Sequence, residues 1–95
     1  MTNIKRCIFN DIYIQTENPS DFYVINSIFD AHADTLPYFI LFNGESKGIF
    51  ACNNDFYNLP TVAAIKVVGT VRTARILNNN FELVGFAVDA NEVTT

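Results

Sequence analysis

Val62-Ala-Ala-Ile65-Lys66-Val-Val-Gly69-Thr-Val-Arg72-Thr-Ala-Arg75-Ile-Leu77, then Asn78-Asn79-Asn80, then Phe81-Glu-Leu-Val-Gly85-Phe-Ala-Val88, is the stretch on which the fold turns. Both arms are rich in β-branched and aromatic residues, which suit a pleated, half-buried surface. Strand side chains alternate, so Ile65, Val67, Val71 and Thr73 share one face and Lys66, Thr70, Arg72 and Ala74 the other. The second arm is apolar on nearly every residue, as in a strand covered on both sides. Asparagine tolerates the left-handed backbone of a tight turn. The stretch therefore predicts a long antiparallel hairpin closed at Asn78–Asn80, with Gly69 and Gly85 as bulges or bends.

Working outward, residues 4–15 read as a first strand. Residues 19–33 read as a helix. Asn18 stands at the cap, Pro19 at the first helical position and Asp21 at the positive end of the dipole. Phe22, Ile25, Phe29 and His32 follow at helical spacing, although Phe22-Tyr23-Val24-Ile25 alone reads as a strand. Pro37 ends the helix. A second hairpin follows, with strands at 38–42 and 47–52 joined at Asn43-Gly44. Residues 53–60 read as a loop carrying Phe56, Tyr57 and Leu59, and the long hairpin supplies strands at 62–77 and 81–89. The expected fold class is α+β: a mainly antiparallel sheet of about five strands with one helix packed on one face. No internal repeat, linker or low-complexity segment stands out.

Ninety-five residues imply a single domain over 1–95 that buries roughly 60–68% of its unfolded surface. Nine Phe and four Tyr in so small a volume, with only 17% charged residues, point to aromatic surface left for a partner. Net charge is −4. No Lys or Arg falls between Arg6 and Lys47, where Asp11, Glu17, Asp21, Asp30, Asp34 and Glu45 all lie, and Lys66, Arg72 and Arg75 follow late. That balance argues against nucleic acid, whose phosphates need several clustered bases. The acidic residues are also too sparse for a mimic of a nucleic acid. Two cysteines make no disulfide framework. No apolar run approaches the ~20 residues of a membrane helix, and no signal peptide is evident. A cytoplasmic protein is expected, with no membrane association.

Candidate chemistry is thin. Asp30-Ala-His32-Ala-Asp34 would aim three polar side chains one way in a strand, as a metal site needs, but in a helix only Asp30 and Asp34 face together. Cys7 or Cys52 with His32 would be a nucleophile and base, yet no signature surrounds either thiol, and two packed core cysteines are the expectation. The sequence holds no nucleophile elbow and no phosphate-cradling glycine loop. The reading is a small non-catalytic protein-binding protein without cofactor or metal. It acts on another protein or on itself as a homo-oligomer, through an aromatic, strand-edge surface that includes Phe56, Tyr57, Lys66, Arg72 and Arg75. Its size also fits an inhibitor or accessory factor of a phage or mobile element. The alternative is a small-ligand binder with residues 53–60 as a lid. A hydrolase using His32 ranks below both.

Overall fold

The computed structural model describes residues 1–32 and 36–94. Among these residues there is no helix. The strands are β1 (Thr2–Lys5), β2 (Ile8–Asn10), β3 (Ile14–Glu17), β4 (Phe22–Ile25), β5 (Ile28–Asp30), β6 (Ile40–Ser46), β7 (Ile49–Cys52), β8 (Asp55–Val71), β9 (Ala74–Leu77) and β10 (Asn80–Thr94). Every strand pairing is parallel. The chain winds into four stacked coils, at 2–17, 22–46, 49–71 and 74–94, which form a β-solenoid.

Three faces run up the stack. The first is β1-β4-β7-β9. The second joins β2, β5 and the starts of β8 and β10, and the third joins β3, β6 and the later parts of β8 and β10. Four coils at ~4.8 Å spacing account for the shortest dimension of the molecule, 20 Å, and leave a cross-section of 33 × 26 Å.

One short motif recurs in each coil: Ile4-Lys-Arg6-Cys7-Ile-Phe9, Val24-Ile-Asn26-Ser27-Ile-Phe29, Ala51-Cys-Asn53-Asn54-Asp-Phe56 and Ile76-Leu-Asn78-Asn79-Asn80-Phe81. The third position is the corner between the first and second faces. Arg6, Asn26, Asn53 and Asn78 all take positive φ there, between 52 and 58°. Asparagine is suited to this conformation because its short polar side chain tolerates it better than most.

The fourth position carries a ladder that satisfies buried backbone groups. Ser27 Oγ accepts the Cys7 N–H at 3.2 Å, Asn54 Oδ1 accepts the Ser27 N–H at 3.0 Å, and Asn79 Oδ1 accepts the Asn54 N–H at 2.9 Å. The amide nitrogens bond the same preceding coil: Asn54 Nδ2 donates to the Val24 carbonyl and Asn79 Nδ2 to the Ala51 carbonyl. A buried polar group left unpaired costs about 1–3 kcal/mol, so each asparagine stabilises the corner above it.

The sixth position is a phenylalanine column. Phe9, Phe29, Phe56 and Phe81 stack with ring centroids 4.6, 5.0 and 5.1 Å apart in succession. Phe39 leans on Phe29 and Phe56, and Phe42, Ile40, Ile65, Ile49 and Leu59 complete the buried core. At the far corner, Gly69 has φ +101° and lies against Gly44, so a Cβ there would run into the Gly44 carbonyl oxygen.

This architecture corrects the expected one. The α+β class, the antiparallel sheet and the helix at 19–33 are replaced by an all-β parallel solenoid. Residues 22–25 and 28–30 are strands, separated by the positive-φ Asn26, and alternation rather than helical spacing buries Val24 while Ile25 faces outward. Residues 4–15 are not one strand, because Arg6 and Asp11 both turn the chain. Residues 65–71 and 74–77 are extended, as the sequence suggests, but the chain does not double back at Asn78–Asn80. Asn78 turns it onto the next face, β9 pairs with β7, and β10 pairs with β8. Asn43-Gly44 lies inside β6, where Gly44 takes positive φ at a corner and not at a hairpin tip. The expected lid at 53–60 is instead the entry to β8. The stacked coils also overturn the expectation of no repeat.

Candidate binding surfaces

Of the tempting Asp30–His32–Asp34 trio, Asp34 lies outside the described residues. Asp30 closes β5 and its Oδ1 accepts from Asn58 Nδ2 at 2.8 Å. His32 lies past the strand, 61% exposed, with Nε2 3.4 Å from Asp30 Oδ2 and Nδ1 3.9 Å from Asp11 Oδ2. Among the described residues no group of three His, Cys, Asp or Glu is placed to hold a metal. His32 does border an open concavity of about 380 Å³ with Ala31, Asn58, Pro60 and Leu83. Neither cysteine is a core thiol: Cys7 is exposed at a corner, and Cys52 is half-buried on the outer side of β7. Beside β3, Tyr38 donates to Gln15 Oε1 at 3.0 Å and meets Tyr13 edge-on. Burial, followed by the nearby Tyr13 hydroxyl, raises the Tyr38 pKa above its ordinary value of 10.0.

Among the described residues, the two ends of the solenoid are open: coil 1 pairs only with coil 2, and coil 4 only with coil 3. Ile8, Ile12 and Tyr13 are exposed at one end, and Leu77, Leu83, Phe86 and Val88 at the other. The long edge belongs to β10, whose 15 residues pair on one side with β8 and carry Leu83 at 69% and Phe86 at 65% exposure.

The first face has a different character. Its four strands and the corner that follows them, residues 2–7, 22–27, 49–54 and 74–79, contain no Asp or Glu. Outward-pointing Tyr23 and Phe50 stack at 4.4 Å with 11° between ring planes. Beside them run Lys5, Ile25, Cys52 and Leu77 in one ladder, and Asn3 and Arg75 flank the rings. Arg6 follows β1 and Arg72 precedes β9, both exposed.

The residues singled out in the sequence scatter over these surfaces. Phe56 is fully buried in the phenylalanine column and can touch nothing outside. Tyr57 is half-buried on the second face. Lys66 lies on the third face, with Nζ 3.5 Å from Glu92 Oε2. Arg75 lies on the first face with Lys5, and Arg72 and Arg6 flank that face at its opposite corners; sequence reasoning missed Lys5 and Arg6. About 70 residues separate the two pairs, and only coil stacking aligns them. The signal that could have aligned them is the Asn-(Ser/Asn)-x-Phe motif of the three later coils, whose apolar residue five positions before the Phe is shared by Ile4 and Phe9 in coil 1.

Comparison with protein families, curated proteins and solved structures gave no match. Fold and surfaces thus define the chain by class: a short β-solenoid with two open ends and one basic, aromatic face. No helix among the described residues is long and apolar enough to cross a membrane.

Proposed function

We propose that this protein is a non-catalytic, protein-binding module whose first partner is a second copy of itself, joined through the open edge of coil 4. The observation that carries the reading is β10: fifteen residues of strand paired on one side, with large apolar side chains exposed along it. Such an edge presents unpaired N–H and C=O groups to another chain. An elliptical end of 33 × 26 Å covers ~670 Å² per copy, or ~1,300 Å² for the pair, within the range of specific interfaces. An antiparallel two-fold pairing centred on Phe86 sets Glu82 against Ala90, Asp89 against Leu83 and Glu92 against Asn80, so no carboxylate faces another. Closed two-fold dimers are the commonest assemblies. Two free thiols, one of them exposed, fit a reducing compartment such as the cytoplasm.

Size-exclusion chromatography with light scattering tests the reading. The expected result is a dimer at micromolar concentration that Phe86→Lys converts to a monomer with an unchanged melting temperature. A wild-type monomer of 10.7 kDa at all concentrations, or a dimer indifferent to Phe86→Lys, overturns it.

A further inference from the structure

We infer that the first face, remote from the β10 edge, is a docking surface for an extended acidic segment of another polypeptide. The inference stands on charge and geometry and does not need the dimer. The chain has ten carboxylates and a net charge of −4, yet none of those carboxylates lies on the first face or the corner beyond it. Lys47 and Lys66 each sit within 4 Å of a glutamate, at 3.7 and 3.5 Å. Among the described residues, Lys5, Arg6, Arg72 and Arg75 make no ion pair. Asp21, at the corner before β4, is the carboxylate nearest in sequence to the face.

Position on the coils selects the ligand. Lys5 and Arg6 belong to coil 1, and Arg72 and Arg75 lie at coil 4. Three inter-strand steps, ~14 Å, and two residues of register, ~7 Å, separate Lys5 from Arg75, a distance of ~16 Å that about four to five residues of extended polypeptide span. Between them, β4 and β7 present Tyr23, Ile25, Phe50 and Cys52 and no cation, and Lys47, which precedes β7 as Arg72 precedes β9, is held by Glu45. The matching ligand carries acid, apolar, acid. A nucleic acid carries a charge on every residue and would set phosphates over that uncharged middle. Its bases would also find little stacking platform, because Tyr23 and Phe50 each cover one face of the other and Asn3 and Arg75 flank the remaining two. Their outward edges are the positive parts of the ring quadrupole and suit carboxylate or carbonyl oxygens. A polypeptide running along the solenoid axis, with Glu at i and i+4 and apolar residues between, meets all three zones.

Fluorescence anisotropy with three defined probes tests this on the intact chain: a labelled peptide Ser-Glu-Val-Tyr-Val-Glu-Ser, the same peptide with Gln for both Glu, and a labelled oligothymidylate. The Glu peptide is expected to bind at least tenfold tighter than the Gln peptide in ~50 mM salt, where screening is weak, and to lose most of that advantage at ~500 mM. Lys5→Glu/Arg75→Glu, both at exposed positions, is expected to abolish the preference while melting as the wild type does. Phe86→Lys is expected to leave it intact. Equal binding of the two peptides, no binding of either, an unchanged preference in Lys5→Glu/Arg75→Glu, or tighter binding of the oligonucleotide overturns the inference. Should the double variant fail to fold, Lys5→Gln and Arg75→Gln made singly give the same readout, with each expected to weaken the Glu peptide several-fold and an unchanged affinity in both counting against the inference.

Discussion

Coils 2 and 3 and coils 1 and 4 are built from the same motif, yet they differ in almost every physical respect. Phe29 and Phe56 are fully buried, whereas Phe9 and Phe81 are only partly so. Inner corners are asparagine, while the coil 1 corner is Arg6. Ser27 and Asn54 are buried ladder members, but Cys7 at the same position is exposed and donates weakly to the Lys5 carbonyl. In a solenoid a residue's environment is set by the coils above and below it more than by its own coil. Identical letters therefore have unequal weight.

The largest break in that comparison is expected in the column. Phe56→Ala should destabilise by about 3–5 kcal/mol, the usual cost of emptying a buried phenylalanine site. Phe9→Ala should cost about half as much or less, since one ring face meets water and removal opens no closed cavity. Urea denaturation of both variants checks this, and equal losses would dissolve the distinction between inner and terminal coils.

Next in size is the ladder. Asn54→Ala strands the Ser27 N–H and removes a second donor from the Val24 carbonyl, for an expected loss of about 1–3 kcal/mol. Cys7→Ala removes no inter-coil bond and should stay within about 0.5 kcal/mol of wild type. A third, smaller effect belongs to the corners. Asn53→Ala should cost about 1 kcal/mol, because alanine resists the left-handed backbone at φ 58°, and Asn53→Gly should cost less. Arg6→Gly at the same position of coil 1 should be neutral or slightly stabilising, since arginine is itself ill-suited there. Thermal melts separate these cases.

The smallest effect is set by pH. Burial raises the Tyr38 pKa in the folded state above its unfolded value of 10.0, so the folded state holds that proton more tightly. Its contribution is whole below pH 10.0 and declines as pH rises above 10.0 through the folded-state pKa. Tyr38→Phe should flatten that part of the stability profile between pH 9 and 11, measured by urea midpoints.

Extended character was legible in residues 40–42, 49–52, 65–71, 74–77 and 81–89, because β-branched and aromatic content reports it locally. Pairing was not. An asparagine or glycine with positive φ serves a hairpin tip and a solenoid corner alike, and the choice is made by contacts about 20–27 residues away. Unequal intervals between the column phenylalanines, 9 to 29, 29 to 56 and 56 to 81, hid the repeat. The false helix arose because Phe22, Ile25 and Phe29 fit helical spacing by coincidence, across a corner that resets the alternation. Half of the basic face was visible as Arg72 and Arg75. Lys5 and Arg6 join it only through the stacking of coil on coil.

The central claim is parallel stacking of coils, and through-space proton contacts measured by nuclear magnetic resonance test it most directly. Residues 49–52 should show in-register contacts to 74–77, and 55–59 to 80–84, in the pattern of parallel strands. Strong Hα–Hα contacts between residues 72–77 and 81–86, as an antiparallel hairpin closed at Asn78–Asn80 requires, would contradict the solenoid and the surfaces derived from it.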